Sequence, residues 1–398
     1  MSSGDGQSYP HPPGITRGLT LAFAVACGVT VGNLYYAQPL IGPISASLGF
    51  DLAAAGLIVT LLQLGYVAGL ILLVPLGDLV ENRALVVRTL IASMLALALA
   101  AVSPSPGLFL LAAVLIGFTS CSVQMLIPIA AHLAPEERRG RVVGTVMSGL
   151  LMGILLSRPI ATLVGGAFGW RAMFALSSAA MVAVAWAMAR RVPRRVPEGG
   201  FHYGQLLLSL WTVLRDTPVL QRRAAYQALM FGAFSLFWTA VPLALAAPPF
   251  SYGTIEIAAF MLSGVGGAFA APFAGRLADH GWTKPATAGA FAVVAVSFVL
   301  AWIGGYGVIA VLVAAGILLD AGVHTNVVLG QRAIYMLHAG VRSRLNALYL
   351  AIFFCGGAVG SALAGFSYVY GGWPLVCAIG LIFPLLGGAL FLTEKRAV

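Results

Sequence analysis

The chain has 398 residues, of which 60% are hydrophobic and only 9% charged, and its mean hydropathy is +0.96. A soluble protein carries roughly 25% charged residues, so no water-soluble fold hides this much apolar sequence and the solvent must be lipid. The formal charge of +10 would suit nucleic acid, but the placement of the charges, taken up below, argues against it.

In chain order, residues 1–15 are rich in Ser, Gly and Pro, which predicts a disordered N-terminus. Apolar stretches of about 20 residues follow, matching a helix that crosses roughly 30 Å of hydrocarbon. Backbone facing lipid must bond within its own segment, so these are helices and not strands. Twelve spans are expected, near 18–42, 53–76, 85–103, 107–131, 142–167, 171–190, 223–247, 255–275, 285–304, 307–331, 345–368 and 373–392. The first is too long for a cleaved signal peptide, and no small-residue cleavage site precedes a soluble domain. The fold class is therefore an all-α membrane protein with twelve transmembrane helices in two pseudo-symmetric six-helix bundles, 16–190 and 223–392. A linker at 191–222 joins them, and a tail at 393–398 ends the chain. The linker opens with RRVPRRVPEGG and then sets Leu207, Leu210, Trp211 and Leu214 at helical spacing, an amphipathic helix for the membrane surface. Loops 103–107, 168–171, 304–307 and 370–373 are too short to hold a binding domain.

The two bundles are copies of each other. Subtracting 203 maps Arg342 to Arg139, Arg344 to Arg141, Gly356 to Gly153, Gly372 to Gly169 and Trp373 to Trp170. The same shift sets Pro242-Leu243 on Pro39-Leu40. A shift of 198 sets GRLAD at 275–279 on GDLVE at 77–81. In a chain this apolar, an internal repeat points to a transporter with its site between the halves.

Twenty of the 22 Lys and Arg residues fall on one side of the expected membrane, seven of them between Arg190 and Arg223. That bias predicts cytoplasmic termini and makes the basic charge an orientation signal, with some contact to anionic lipid. Arg158 and Arg171 are the exceptions. Cys27, Cys121, Cys355 and Cys377 all lie in spans without ligand spacing and read as packing residues. No metal-ligand run, nucleotide loop or nucleophile elbow occurs, so neither catalysis nor a cofactor is expected.

Twelve spans in two repeats, with NLYYAQPL, QLGYVAGLILLVPLGDLVENR and the later QRAIYML, RSRLNALY, GGAVGS and GGW segments, resemble the major facilitator superfamily. Within it the likeness is to the bacterial drug/proton antiporter and sugar-efflux branch. That superfamily carries Gly-x-Leu-Ala-Asp-Arg-x-Gly-Arg-Arg after its second span. Gly77, Leu79 and Glu81 match, Asp78 fills the free position, Asn82 replaces the first Arg, Arg83 follows, and Ala84-Leu85-Val86 replace the rest. Gly275, Leu277, Ala278 and Asp279 fit better in the second half. The resemblance implies a gating latch on the cytoplasmic side, with Arg342 and Arg344 beside it. The residues themselves suggest a tight turn that needs glycine and a carboxylate set against a neighbouring helix N-terminus, or an ordinary capped turn. Two antiporter marks are imperfect. Val114 stands where an arginine is usual, three before Gly117, and the span-five motif survives only as Gly149 and Gly153, with Pro159 and Gly165-Gly166 displaced.

Of twelve acidic residues, only Asp320 lies deep in a span, near the midplane of span ten. A charge there costs at least roughly 2.5–3.5 kcal/mol unless it is paired or wet, which suits a carboxylate that takes up and releases a proton. His324 shares its face four residues on, and Gln331 continues the stripe. Arg158, in span five, cannot give up its proton. It is a candidate to pair with Asp320, to anchor an anionic group of the substrate, or to balance charge. Asn33, Tyr35, Tyr36, Gln38, Gln63, Tyr66, Ser120, Gln124, Tyr226, Gln227 and Trp238 are polar or amphipathic side chains that avoid lipid by pointing inward, toward substrate or toward one another.

The expectation is a monomeric, proton-driven secondary transporter in a bacterial cytoplasmic membrane. It binds a small molecule and protons, and no nucleic acid. Export of a drug, sugar or metabolite is implied by the resemblance. Uptake of an organic anion at Arg158, and a transporter-shaped sensor, are the alternatives.

Overall fold

A computed structural model describes residues 15–197, 202–268, 270–337 and 341–394. Most of the expected disordered N-terminus, Lys395 and Arg396 lie outside these residues, as does part of the linker's glycine stretch. The described residues are mostly helical, with no strand among them. Ten of its helices are long and apolar enough to cross a membrane. The longest, Arg342–Leu392, is two spans joined at Gly372, whose φ of 61° no helix can accommodate. Gly169, at φ 83°, makes the same corner between Glu136–Phe168 and Trp170–Arg191. Each Gly-Trp pair of the repeat is thus a left-handed corner that a side chain would strain, followed by a tryptophan opening the next span. Trp170 packs edge-on against Phe109, and Trp373 donates its indole N–H to the Ala301 carbonyl at 2.8 Å.

Span one completes the set of twelve and departs from the continuous helix expected over 18–42. It runs as Arg17–Gly32, unwinds over 33–37, and resumes as Gln38–Leu40 and Ile41–Leu48. Pro39 has no N–H to continue the ladder and sits in the first turn of the new segment. Its repeat partner Pro242 lies inside the unbroken helix Pro218–Ala246. Span four likewise divides into Pro106–Ser120 and Val123–Leu133, and span eight into Thr254–Met261, Ser263–Ala268 and Ala270–Asp279.

Glycines set the helix pairs inside each bundle. Span one meets span five where Gly28 faces Gly149 and Gly153, and span seven meets span eleven where Ala228 and Gly232 face Gly356 and Gly360. Between the bundles, span two packs on span eleven and span five on span eight. Tyr203–Asp216 is the linker helix. Leu206 and Leu210 are its buried residues, Leu207 and Leu214 pack partly buried against the core, and Trp211 alone of the expected stripe is exposed. The three cysteines Cys27, Cys121 and Cys377 are buried, and Cys355 is exposed.

Candidate functional site

The two isolated membrane charges come together at the centre of the molecule. Asp320 lies midway along Ile309–Tyr335 and is 1% exposed; Arg158 lies in Glu136–Phe168 and is 2% exposed. Trp238, from Pro218–Ala246, stands with both of them. Its indole N–H donates to Asp320 Oδ1 at 2.7 Å, and its ring lies under the Arg158 guanidinium at 4.4 Å. Phe234, one turn earlier, and Tyr35 complete the aromatic wall at 4.8 and 5.5 Å from the guanidinium carbon. Such cation–π contacts are strongest where water is absent.

The unwound stretch of span one brings in the last partner. Gln38 is fully buried, and its carboxamide oxygen accepts from Arg158 Nε at 3.0 Å. Arginine only donates, so this bond fixes the amide orientation and turns the Gln38 NH2 away. Neither Gln38 Nε2 nor Arg158 Nη2 meets a hydrogen-bond partner. Gly264 forms the floor. A methyl on it would stand 2.8 Å from Asp320 Oδ2, 3.2 Å from Trp238 and 3.4 Å from Arg158 Nη1. Asp320 and Arg158 nevertheless form no ion pair within 4.0 Å.

His324 shares the face of Asp320, as the spacing predicts, but its Nδ1 lies 2.8 Å from the Asp320 main-chain carbonyl and not on the carboxylate. With Nδ1 protonated to make that bond, Nε2 is the nitrogen left to exchange a proton in the neutral ring. Its edge faces Phe234.

The neutral candidates divide into three groups. Tyr35 and Gln38 join Arg158. Gln63, Tyr66 and Gln124 form polar contacts nearer the arginine-rich end. Gln63 Nε2 donates to Ser235 at 2.9 Å across the bundles, Gln124 donates to the Tyr66 hydroxyl at 3.2 Å, and Asn346 donates to Gln124 at 3.4 Å. Asn346 in turn accepts from Tyr335 at 2.9 Å and from Gln331 at 3.4 Å. The third group stays away from the charged centre. Asn33 accepts from Ser177 at 2.6 Å within the first bundle, and Tyr36 lies over Gly32. Tyr226, fully buried, donates to Glu394 at 3.1 Å at the arginine-rich end. Gln227 accepts from Asn326 at 2.7 Å, and Ser120 donates to a carbonyl of its own helix.

At the loop motif, Glu81 accepts from the backbone N–H groups of Arg83 and Ala84 at 2.8 and 3.0 Å. It caps its own following helix, Asn82–Val102, and not a neighbouring one. Asp78 ends the short turn Val74–Asp78 before it. Asp279 pairs with Arg332, which also reaches the Gly275 carbonyl, so spans eight and ten are tied at this end. The expectation that the turn needs glycine at Gly77 and Gly275 is corrected. Neither has a left-handed φ, and a methyl on either meets nothing within 4 Å. The left-handed residue is Gly281, at φ 78°. Arg342 donates to the Tyr335 carbonyl at 3.0 Å, and Arg344 lies half-buried in the same first turn of Arg342–Leu392.

Phe234, Ser235, Gly264 and Asn346 belong to these networks and were not singled out from sequence. Phe234 had a readable signal, standing one helical turn before Trp238. Gly264 had none, being one glycine in a GVGG run.

Residues 21–329 match the sequence profile of the Major Facilitator Superfamily. The chain is 38% identical over 373 residues to the uncharacterized transporter YgaY of Escherichia coli O157:H7, covering 94% of each. It is 36% identical over 381 residues to a probable transporter of Streptomyces coelicolor, covering 94% of this chain and 87% of that one. Among solved structures, the nucleoside transporter NupG superposes with a TM-score of 0.73 over 95% of this chain and 100% of its own, at 15% identity, a likeness of fold alone. Twelve spans in two repeats, a matching profile over most of the chain and relatives over nearly its whole length lead to one conclusion: the chain belongs to the Major Facilitator Superfamily and is a multi-pass membrane transporter.

Proposed function

We propose that the protein is a proton-coupled secondary transporter that exports a small amphipathic molecule by alternating access. The observation that carries this reading is Asp320, the one acidic side chain buried among the described residues, held at mid-span beside an arginine it does not pair with. A carboxylate so placed is costly when charged and gains from taking a proton. Asp320 is the proton carrier, and His324, with a ring nitrogen free one turn away, assists. Arg158, Tyr35, Gln38 and Trp238 line the substrate site, with Gln63, Tyr66 and Gln124 extending it. Gly77, Asp78, Glu81, Arg83, Gly275, Asp279, Arg342 and Arg344 form the gating end. The asymmetry of the arginines supports a bacterial cytoplasmic membrane with both termini inside, and one chain is the working unit. Export rests on the resemblance to the drug/proton antiporter and sugar-efflux branch.

A second reading, uptake of an organic anion, is favoured by the unpartnered Nη2 of Arg158 beside flat aromatic rings. Reconstitution in liposomes under an imposed pH gradient tests both, with a solute screen on wild type and on Asp320→Asn. Gradient-driven flux is expected in wild type and not in the variant. Full flux in the variant removes Asp320 from the carrier role, and no flux of any solute leaves the sensor reading. An Arg158→Ala protein that loses anionic but not neutral solutes selects the anion.

A further inference from the structure

We infer that Trp238 is a positioning residue that keeps the Asp320 carboxylate out of a direct ion pair with Arg158, so that Asp320 stays free to exchange its proton. The inference rests on the proton-carrier reading and adds the device that reading needs.

The two charges are close enough to attract strongly. Both border Gly264, where a methyl would lie 2.8 Å from the carboxylate oxygen and 3.4 Å from the guanidinium nitrogen. That holds them within about 6 Å of each other, in an interior where unlike charges are weakly screened. A shift of about 2–3 Å would bring them into a charge-assisted hydrogen bond, which holds a carboxylate in its ionised form. A carrier locked in that way would not load.

Trp238 blocks the shift from two sides. Its indole N–H claims Oδ1 at 2.7 Å, and its ring face holds the guanidinium at 4.4 Å. Arg158 is also held by Gln38 at 3.0 Å and by the Phe234 ring at 4.8 Å. Trp238 itself is fixed, fully buried, by Phe237 and Phe260 at ring separations of 5.3 and 6.1 Å. The other titratable groups near Asp320 are Tyr35 from span one and His324 on its own helix. Span eight brings Gly264 and Gly267 against it. No second carboxylate is buried among the described residues.

Bulk and hydrogen bond can be removed separately, with opposite consequences. Trp238→Leu removes both, and the ion pair that then forms outweighs the lost N–H bond. Trp238→Phe keeps the spacer and loses only the donor to the carboxylate. Infrared spectra of the purified full-length protein, titrated with pH, give the readout. The carbonyl band of protonated Asp320 is identified by its loss in Asp320→Asn. At the pH where the wild-type band stands at half height, Trp238→Leu is expected to show a band about fivefold weaker, the change that one pH unit brings. Trp238→Phe is expected to show a stronger one. Adding Arg158→Gln to Trp238→Leu should restore the band. If Trp238→Leu does not yield folded protein, Trp238→Met replaces it with the same expected direction. A band unchanged or stronger in the truncated variants, or weaker in Trp238→Phe, overturns the inference. If no Asp320 band titrates in wild type, it is the proton-carrier reading that fails, before Trp238 is at issue.

Discussion

Arg158 and Asp320 are both buried, but their costs differ. Asp320 can shed its charge by binding a proton, whereas Arg158 carries its charge permanently. Arg158 is held by one neutral amide and three aromatic faces, and Nη2 has no partner. Replacing a buried ion pair by apolar side chains of similar volume is often neutral or stabilising, by about 1–4 kcal/mol, and Asp320, left behind when Arg158 alone is replaced, can neutralise itself by taking a proton. Arg158→Met should therefore melt in detergent at or above the wild-type temperature while losing transport. A markedly lower melting temperature would mean that the stacked guanidinium holds the fold together rather than serving the site. Both charges were legible in the sequence, because a charge deep in an apolar span stands out against its neighbours. Trp238 as a bridge was not. With 7 Trp, 21 Phe and 48 Gly in the chain, residue type alone does not say which aromatic or glycine faces the centre. That is decided by the rotation of each helix and by the unwinding of span one, which only packing sets.

At the scale of helices, the glycines separate into those that pack and those that merely recur. A methyl on Gly149 would stand 2.7 Å from the Ala24 Cα, and one on Gly356 would stand 2.6 Å from the Ala228 Cα. Backbone cannot step aside as a side chain can, so each pair of helices must separate to admit the methyl. Gly149→Ala and Gly356→Ala should each destabilise the protein by about 1–3 kcal/mol, as overpacking does. Gly77→Ala and Gly275→Ala, at the motif positions with open space around them, should fall within about 0.5 kcal/mol of wild type. Unfolding of the four variants side by side in detergent checks the contrast. Equal losses at all four would show that the loop glycines serve a conformation other than this one. The repeat was readable because the Gly-Trp corners and one packing glycine, Gly153 and Gly356, recur in register. The broken first span was not readable. Pro39 and Pro242 occupy equivalent places, yet only the first lies beside an unwound turn. What differs is the surroundings: Gln38 turns inward to an arginine, and that arginine has no counterpart in the other half, where Ser361 takes its place.

Across the whole molecule, the two bundles are sealed at the end opposite the arginine-rich one. Thr60 and Ser361 hydroxyls are 3.0 Å apart, and Thr60 also reaches the Ala358 carbonyl at 3.2 Å. Beyond them, a methyl on Gly365 would meet the Leu52 and Ala53 carbonyls at 2.7 and 2.8 Å. Toward the arginine-rich end, by contrast, spans four and eleven are joined by the Gln124–Asn346 contact at 3.4 Å. A transporter that alternates must open the tight seam to release or collect its solute on that side. Thr60→Cys with Ser361→Cys, on a Cys355→Ser background that removes the exposed native thiol, sets two sulfurs close enough to reach the bonding distance of about 2.05 Å. Oxidation should cross-link the pair in the resting protein, stop transport of whatever solute the liposome screen identifies, and be reversed by a reductant. The bond spans sequence positions 301 residues apart, so it pins one bundle to the other and leaves each bundle's own packing intact. If the cross-linked protein still transports at the uncross-linked rate, the seam never opens, and the solute's path cannot run between spans two and eleven. If the cross-link forms only after solute or acid is added, this sealed arrangement is the loaded state and not the resting one.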